Sequence, residues 1–523
     1  GEGYYLWVKM DEQAEKRLHS QEQYYDGGLC ADLAYAGDSV FLLQSGMGKA
    51  QVRRLKDNAV FEVGWNVPGS KPESHQPAKM DGFGATLVLS YPERNGLKWM
   101  SPSGGAIEAT MENIPGARAV ALGGEPGSPY VLVSTSDGRV LKLAGPNASP
   151  EKVLDLDGVT AMDINHDTGE VALARENGSV AEVRIYSAGW ELLKTVGGPV
   201  RPDGLYNPNL YKALADVCFL KDGRLVVVEN SMPRRVLRLD TKTGEQDLVG
   251  YGNRTFYTWG KADPRRPNFH WVSIEGTLIL TEVDYAGGSW KPVAVWNYRD
   301  LLDGLYFGQS NGNWGRPWMP LYIKDRLFLF GAGLPAAVEV DFKNWTLIPR
   351  SFTGIIPADA KVVPKPIKQA LQAAGKDMAK WSRHFNWADS NGNGAMDADE
   401  IEIEEGKWNA SNGPGDYNAN FDFAHGMGLG GNMVMLPLAE WTGPGQTYPR
   451  WRWSGYKEAG KVEGWIASGQ DLRDAAFDPE GNLYCAFYHE IQIHNQLVSR
   501  WPHGGYWGAK VMSWDPQGNL RLV

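Results

Sequence analysis

Twelve residues, DSNGNGAMDADE at 389–400, set oxygen-bearing side chains at alternate positions around a glycine. Asp389, Asn391 and Asn393 fall at positions 1, 3 and 5, Gly394 at 6, Ala395 with its carbonyl at 7, Asp397 at 9 and Glu400 at 12. Hard oxygen donors in that order suit Ca2+, with the glycine making the sharp turn and the last glutamate binding through both oxygens. Three carboxylates beside two neutral asparagines moderate the affinity, which points to a structural ion in a calcium-rich, extracytoplasmic setting. A second string, DYNANFD at 416–422, offers Asp416, Asn418, Asn420 and Asp422 but lacks the glycine and the closing glutamate, and reads as a polar turn.

Acid–base chemistry has other candidates. His489, Glu490, Glu229, Glu282 and Tyr257 could move protons, while Trp259, Trp314, Arg254, Arg316 and His270 could bind a substrate. Aromatic faces stack on the C–H faces of sugars, and arginines and carboxylates bond their acid groups and hydroxyls. A lyase would use His or Tyr to take the proton beside a uronate carboxylate that Arg neutralises; a glycosidase would use two of the acids. Histidines gathered at an axis would instead bind copper or another transition metal. No HExxH and no Walker-type phosphate-binding loop is present.

These residues lie on or between copies of one unit: an apolar run, a tight polar turn and a second apolar run. Clear copies are CADLAYAGDSVFLLQ (30–44), ARAVALGGEPGSPYVLVS (117–134), AMDINHDTGEVALAREN (161–177), ADVCFLKDGRLVVVEN (215–230), HWVSIEGTLILTEVD (270–284), MPLYIKDRLFLFGA (319–332), RDAAFDPEGNLYCAFYHE (473–490) and KVMSWDPQGNLRLV (510–523). Weaker ones are ATLVLSYP (85–92) and GNMVMLPLAEW (431–441). Gly after Asp, Glu or Gln supplies the positive φ of a hairpin turn, and third and fourth strands follow several copies. Four antiparallel strands every ~40–55 residues predict an all-β propeller of about eight blades, range seven to ten. The strand–turn–strand grammar resembles the NHL and SMP-30-like propeller families over roughly 20–350 and 425–523. That resemblance implies a fold, not an activity.

The C-terminal copy reads as the inner pair of a blade whose outer pair is residues 1–18, closing the ring. Residues 353–424 break the rhythm: a predicted helix at 365–385, the calcium-type loop and acidic EIEIEEGKW (400–408) make a helical, EF-hand-like insertion between propeller segments 1–352 and 425–523.

Propeller geometry gathers the ends of second strands on one rim: Arg175 and Glu176, Glu229 and Asn230, Glu282 and Asp284, His489 and Glu490. The long returns between blades add Tyr206, Tyr211, Trp318, Arg265 and Arg266. The resulting expectation is an exported, carbohydrate-active propeller that binds or cleaves a polysaccharide. The alternatives are a copper-type oxidoreductase and a non-catalytic protein- or glycan-binding scaffold. A formal charge of −10 removes the basic excess a nucleic-acid binder needs, and no apolar run approaches the ~20 residues of a membrane helix. Cys30, Cys218 and Cys485 are expected to be buried in strands rather than paired in a disulfide framework. A chain starting at Gly1 reads as a processed or trimmed product.

Overall fold

In the computed structural model the described residues are 29–46, 49–65, 77–251, 259–274, 276–298, 301, 318–331, 333–356, 363–376, 383–405, 415–427, 432–461, 472–487, 492–493, 496–497, 510–517 and 519–522. They fall in two compact units, Gly1–Arg201 with Asn207–Gly252, and Pro202–Tyr206 with Asn253–Val523.

The first unit holds five four-stranded antiparallel sheets, each strand paired with the next in the chain. Each opens as the repeat requires. In the fifth, Leu214–Phe219 pairs with Leu225–Glu229 across a turn in which Gly223 takes φ +80°. Alternation sends apolar side chains into the layers between sheets, and Ala161, Ala172, Val217, Leu225 and Val227 share one such layer. The first strands, Leu29–Ala36, Lys79–Phe83, Val120–Glu125, Val159–Ile164 and Leu214–Phe219, lie side by side in that order. They also curl, since Lys79 of the second sheet donates to the Ala215 carbonyl of the fifth at 3.0 Å. Four-stranded sheets with their first strands around a common centre are the blade arrangement of a β-propeller.

The second unit contains a five-stranded sheet in the order Gly204–Leu205, Ser289–Asn297, Thr277–Asp284, Phe269–Ile274, Trp259–Ala262. A six-stranded sheet and two four-stranded sheets follow. Its core is aromatic, with Trp271, Trp387 and Trp451 fully buried.

Three expectations change. The described residues of 353–424 are mostly not helical: the helix stops at Ala373, and Arg383–Ala388 and Ile401–Glu405 pair as the fifth and sixth strands of the sheet that begins at Trp318. The period-two pattern of IEIEE, with Ile401 and Ile403 packed on the core, overrides the helix propensity of its glutamates. The calcium-type loop therefore joins two strands through a single 3-10 turn at Ala398–Glu400. The boundary placed after residue 352 falls inside the strand Thr346–Ile355. Second, KVMSWDPQGNLRLV does not open a blade: Lys510–Trp514 pairs with Leu483–Phe487 and with Leu520–Leu522, completing the sheet begun at Leu472. The weaker copies do supply sheet strands, Thr86–Tyr91 and Asn432–Leu436, so nine sheets of four or more strands stand among the described residues. Residues 1–18 lie outside them. Third, Cys218 is exposed, because Val217 takes the core-facing position of its strand.

Candidate functional site

Glu229, expected on an open rim, is sealed inside the first unit. Arg235 Nε lies 2.5 Å from one carboxylate oxygen and Arg201 Nη1 2.7 Å from the other, and the Lys212 N–H donates to the latter at 3.0 Å. Arg235 also donates to the carbonyls of Pro208 and Leu210, each at 2.7 Å. Glu229 thus anchors the return that leads into its own blade. Glu176 does similar work, accepting the Leu214 N–H at 2.8 Å. Arg175 is held by Asp157 and Glu182. Tyr211 and Trp318 are buried in the cores of their units and leave the expected aromatic surface. Their rings fill the space between sheets, where a large apolar face gains most.

The second unit does bring candidate residues together. His270, at the start of Phe269–Ile274, pairs with Thr281 across the sheet, and Phe269 pairs with Glu282. His270 Nε2 lies 2.5 Å from the hydroxyl of Tyr285, which donates to the Pro267 carbonyl at 3.2 Å. Tyr285 is 67 % and Trp290 40 % exposed on either side of the turn that follows Asp284. Glu282 pairs with Lys291 at 3.0 Å. The loop carrying Pro267 also carries Arg265 and Arg266. Buried Asp263 shapes that loop, accepting both their backbone N–H groups, the Arg266 guanidinium at 2.8 Å and the Tyr322 hydroxyl. The Arg265 guanidinium carbon lies over the Tyr322 ring, 3.9 Å from its centroid. Arg265, half exposed and held by Asp325 at 3.3 Å and the Lys324 carbonyl at 2.7 Å, thus shares one sheet end with the exposed rings, Glu282 and the hydrogen-bonded His270 and Tyr285.

Tyr257, Arg254, Trp314, Arg316, His489 and Glu490 lie outside the described residues, and Trp259 is described only as the start of its strand. His166 stacks on Phe83 at 3.8 Å, and His384 lies 4.7 Å from the Trp453 ring.

Sequence reasoning missed the role of a set of aspartates on the opening strands. Asp32 accepts the Met80 N–H at 2.8 Å, Asp81 that of Leu122 at 2.7 Å and Asp163 that of Phe219 at 2.6 Å; in the second unit Asp416 accepts that of Phe477 at 3.0 Å. Each stitches one sheet to the next. The signal was a carboxylate inside an apolar run, in CAD (30–32), KMD (79–81), AMD (161–163) and LAD (214–216). In the first unit these groups crowd the centre, where Lys79 Nζ lies 3.7 Å from both Asp32 and Asp216. Burial pushes Asp32 up to about 6 against the pull of Lys79, and Asp163 likewise to about 6. Asp81 is raised well above the carboxylate range by burial and by Asp163. Desolvation of its sulfur, with Asp163, Asp216 and Asp81 nearby, pushes the Cys218 thiol up to about 12 although part of the residue reaches the surface.

The calcium-type loop is closed by protein donors. Asp389 Oδ1 accepts the Gly392 N–H at 2.7 Å, and Oδ2 accepts the Gly394 N–H at 3.0 Å and pairs with Arg350 Nη1. The same Nη1 donates to the Gly392 carbonyl at 3.1 Å. Glu400 Oε1 accepts from Ser390 N and Oγ and from Asn391 N, and Oε2 from the Trp387 indole. Asn391 and Asn393 both bring their amide ends to Asp397 Oδ2, at 2.9 and 2.8 Å, so positions 3, 5 and 9 converge. Among the described residues no three His, Cys, Asp or Glu side chains meet at metal-holding geometry. The donors are nevertheless hard oxygens, and Arg350 is a stand-in cation against position 1, so this donor set fits Ca2+. Asp416–Asp422 is a polar turn, with Asn418 bonded to Asp422.

No family model matches the chain, and no curated protein does. Similar solved structures include Kuenenia stuttgartiensis hydrazine synthase, at 14 % identity over 53 % of this chain and 81 % of that one, TM-score 0.30. A streptogramin B lyase is 12 % identical over 58 % of this chain and 91 % of that one, TM-score 0.33. At such scores neither likeness bears on the chemistry of the sites. No helix among the described residues is long and apolar enough to cross a membrane.

Proposed function

We propose that the protein binds and cleaves an acidic polysaccharide at the sheet end carrying His270 and Tyr285. The observation behind this reading is the exposed 2.5 Å hydrogen bond between them, with the hydroxyl also bonded to the Pro267 carbonyl. The phenol has one proton and two acceptors, so a proton taken by either partner can pass to the other. In an elimination this pair removes the proton beside a uronate carboxylate, the C4–O bond breaks, a C4=C5 double bond forms and the leaving oxygen is protonated. Arg265 bonds the carboxylate as charge spreads onto it, and Trp290 and Tyr285 stack on the sugar faces. A calcium ion at 389–400 would brace its sheet, and an extracytoplasmic location fits both the ion and the substrate.

A panel of polyuronates and glycosaminoglycans tests the reading, with ultraviolet absorbance reporting the unsaturated product and affinity electrophoresis reporting binding. Retention without product leaves the glycan-binding scaffold. No retention and no product sinks the carbohydrate reading. Stoichiometric copper after dialysis would favour the oxidoreductase.

A further inference from the structure

We infer that Arg350 is an internal competitor for the cation of the 389–400 loop, so that Ca2+ enters by exchange with its guanidinium. Asp389 is fully buried and its Oδ2 already faces a positive charge, from an arginine that is itself 8 % exposed. Position 1 of such a loop cannot give that oxygen to both a divalent ion and a guanidinium without crowding two cations at one carboxylate. The neighbouring Gly392 carbonyl is also taken by Arg350. The asparagine amides are fixed at both ends: Asn391 and Asn393 meet Asp397 through their nitrogens, while their Oδ1 atoms accept the N–H groups of Asn393 and Ala395 at 2.8 and 2.7 Å.

The exchanged guanidinium has somewhere to stay. Arg350 Nε lies 2.8 Å from Glu339, which also pairs with Arg326, and the Arg350 guanidinium carbon sits 4.6 Å over the Tyr448 ring. Release of Nη1 alone therefore strands no charge. Arg350 sits on Thr346–Ile355, three strands of one sheet connect it to the loop, and Glu400 holds the Trp387 indole. Binding through both Glu400 oxygens would break that last bond.

The test is calcium titration of the EDTA-dialysed full chain by calorimetry, comparing wild type with Arg350→Met and Arg350→Lys. The inference expects Arg350→Met to bind Ca2+ roughly tenfold more tightly than wild type, with Arg350→Lys between them. Should the methionine variant not fold, as judged by circular dichroism, tighter binding by the lysine variant carries the same conclusion. Equal or weaker binding by the folded variants overturns the competition while leaving calcium binding intact. No binding by any of the three overturns both. A second readout is the Ca2+-induced change in tryptophan emission of the parent, which should be lost in Trp387→Phe; an emission unmoved by bound Ca2+ counts against release of the Trp387 indole by Glu400.

Discussion

Glu229 and Arg235 meet at 2.5 Å with neither side chain exposed, and Arg201 closes the same carboxylate from its other oxygen. Removing one member of such a cluster leaves buried charge uncompensated. Glu229→Gln should lower the unfolding free energy by about 3 kcal/mol, read from urea denaturation. Any lost activity should track that unfolding. A variant as stable as wild type but inactive would return Glu229 to the list of catalytic groups.

Tyr285 invites the opposite result. Its hydroxyl touches only His270 and Pro267 among the described contacts and the ring is largely exposed, so Tyr285→Phe should leave the melting temperature unchanged. Product formation from a cleaved polyuronate should fall by about a hundredfold or more. Retained turnover would place the proton transfer elsewhere.

The central aspartates of the first unit set a pH dependence. Asp163 titrates near 3.8 when unfolded and near 6 when folded, so the folded state holds the extra proton between those values. Its contribution is full below pH 3.8 and is lost as pH rises through about 6. Asp163→Asn stays neutral and should gain on wild type by about 2 kcal/mol between pH 4 and 7 in paired denaturation curves. The opposite sign holds for Glu402, which Arg452 and Arg450 hold down to about 2 against an unfolded value of 4.5. Its contribution is present above pH 4.5 and is lost as pH falls through about 2, so Glu402→Gln should flatten that acid limb.

Gly394 takes φ +76°, and a Cβ there would lie 2.7 Å from Ile348 Cγ2. Gly394→Ala should therefore cost about 1–3 kcal/mol through strain and overlap together, with or without calcium. Thermal melts in EDTA and in Ca2+ check this; an unaffected variant would mean the loop is looser than its hydrogen bonds imply.

The chain's own chemistry determined much of this protein. Turn glycines between short apolar runs specify hairpins, because positive φ and period-two alternation are local properties. They announced the four-stranded sheets and the order of the calcium-type donors. Tertiary structure decided what those residues face. Glu229 looks like a rim acid until Arg201, 28 residues away, and Arg235 enclose it. IEIEE looks helical until Arg383–Ala388 offers it a strand edge. Asp389 reads as a metal ligand, yet its first cation comes from Arg350 on another strand. His270 and Tyr285, 15 residues apart, become a pair only because the sheet folds the turn after Asp284 back over the Pro267 loop. Spacing along the chain fixes which elements form; the partner of a charged or titratable group is set by distance in space, which depends on every sheet packed around it.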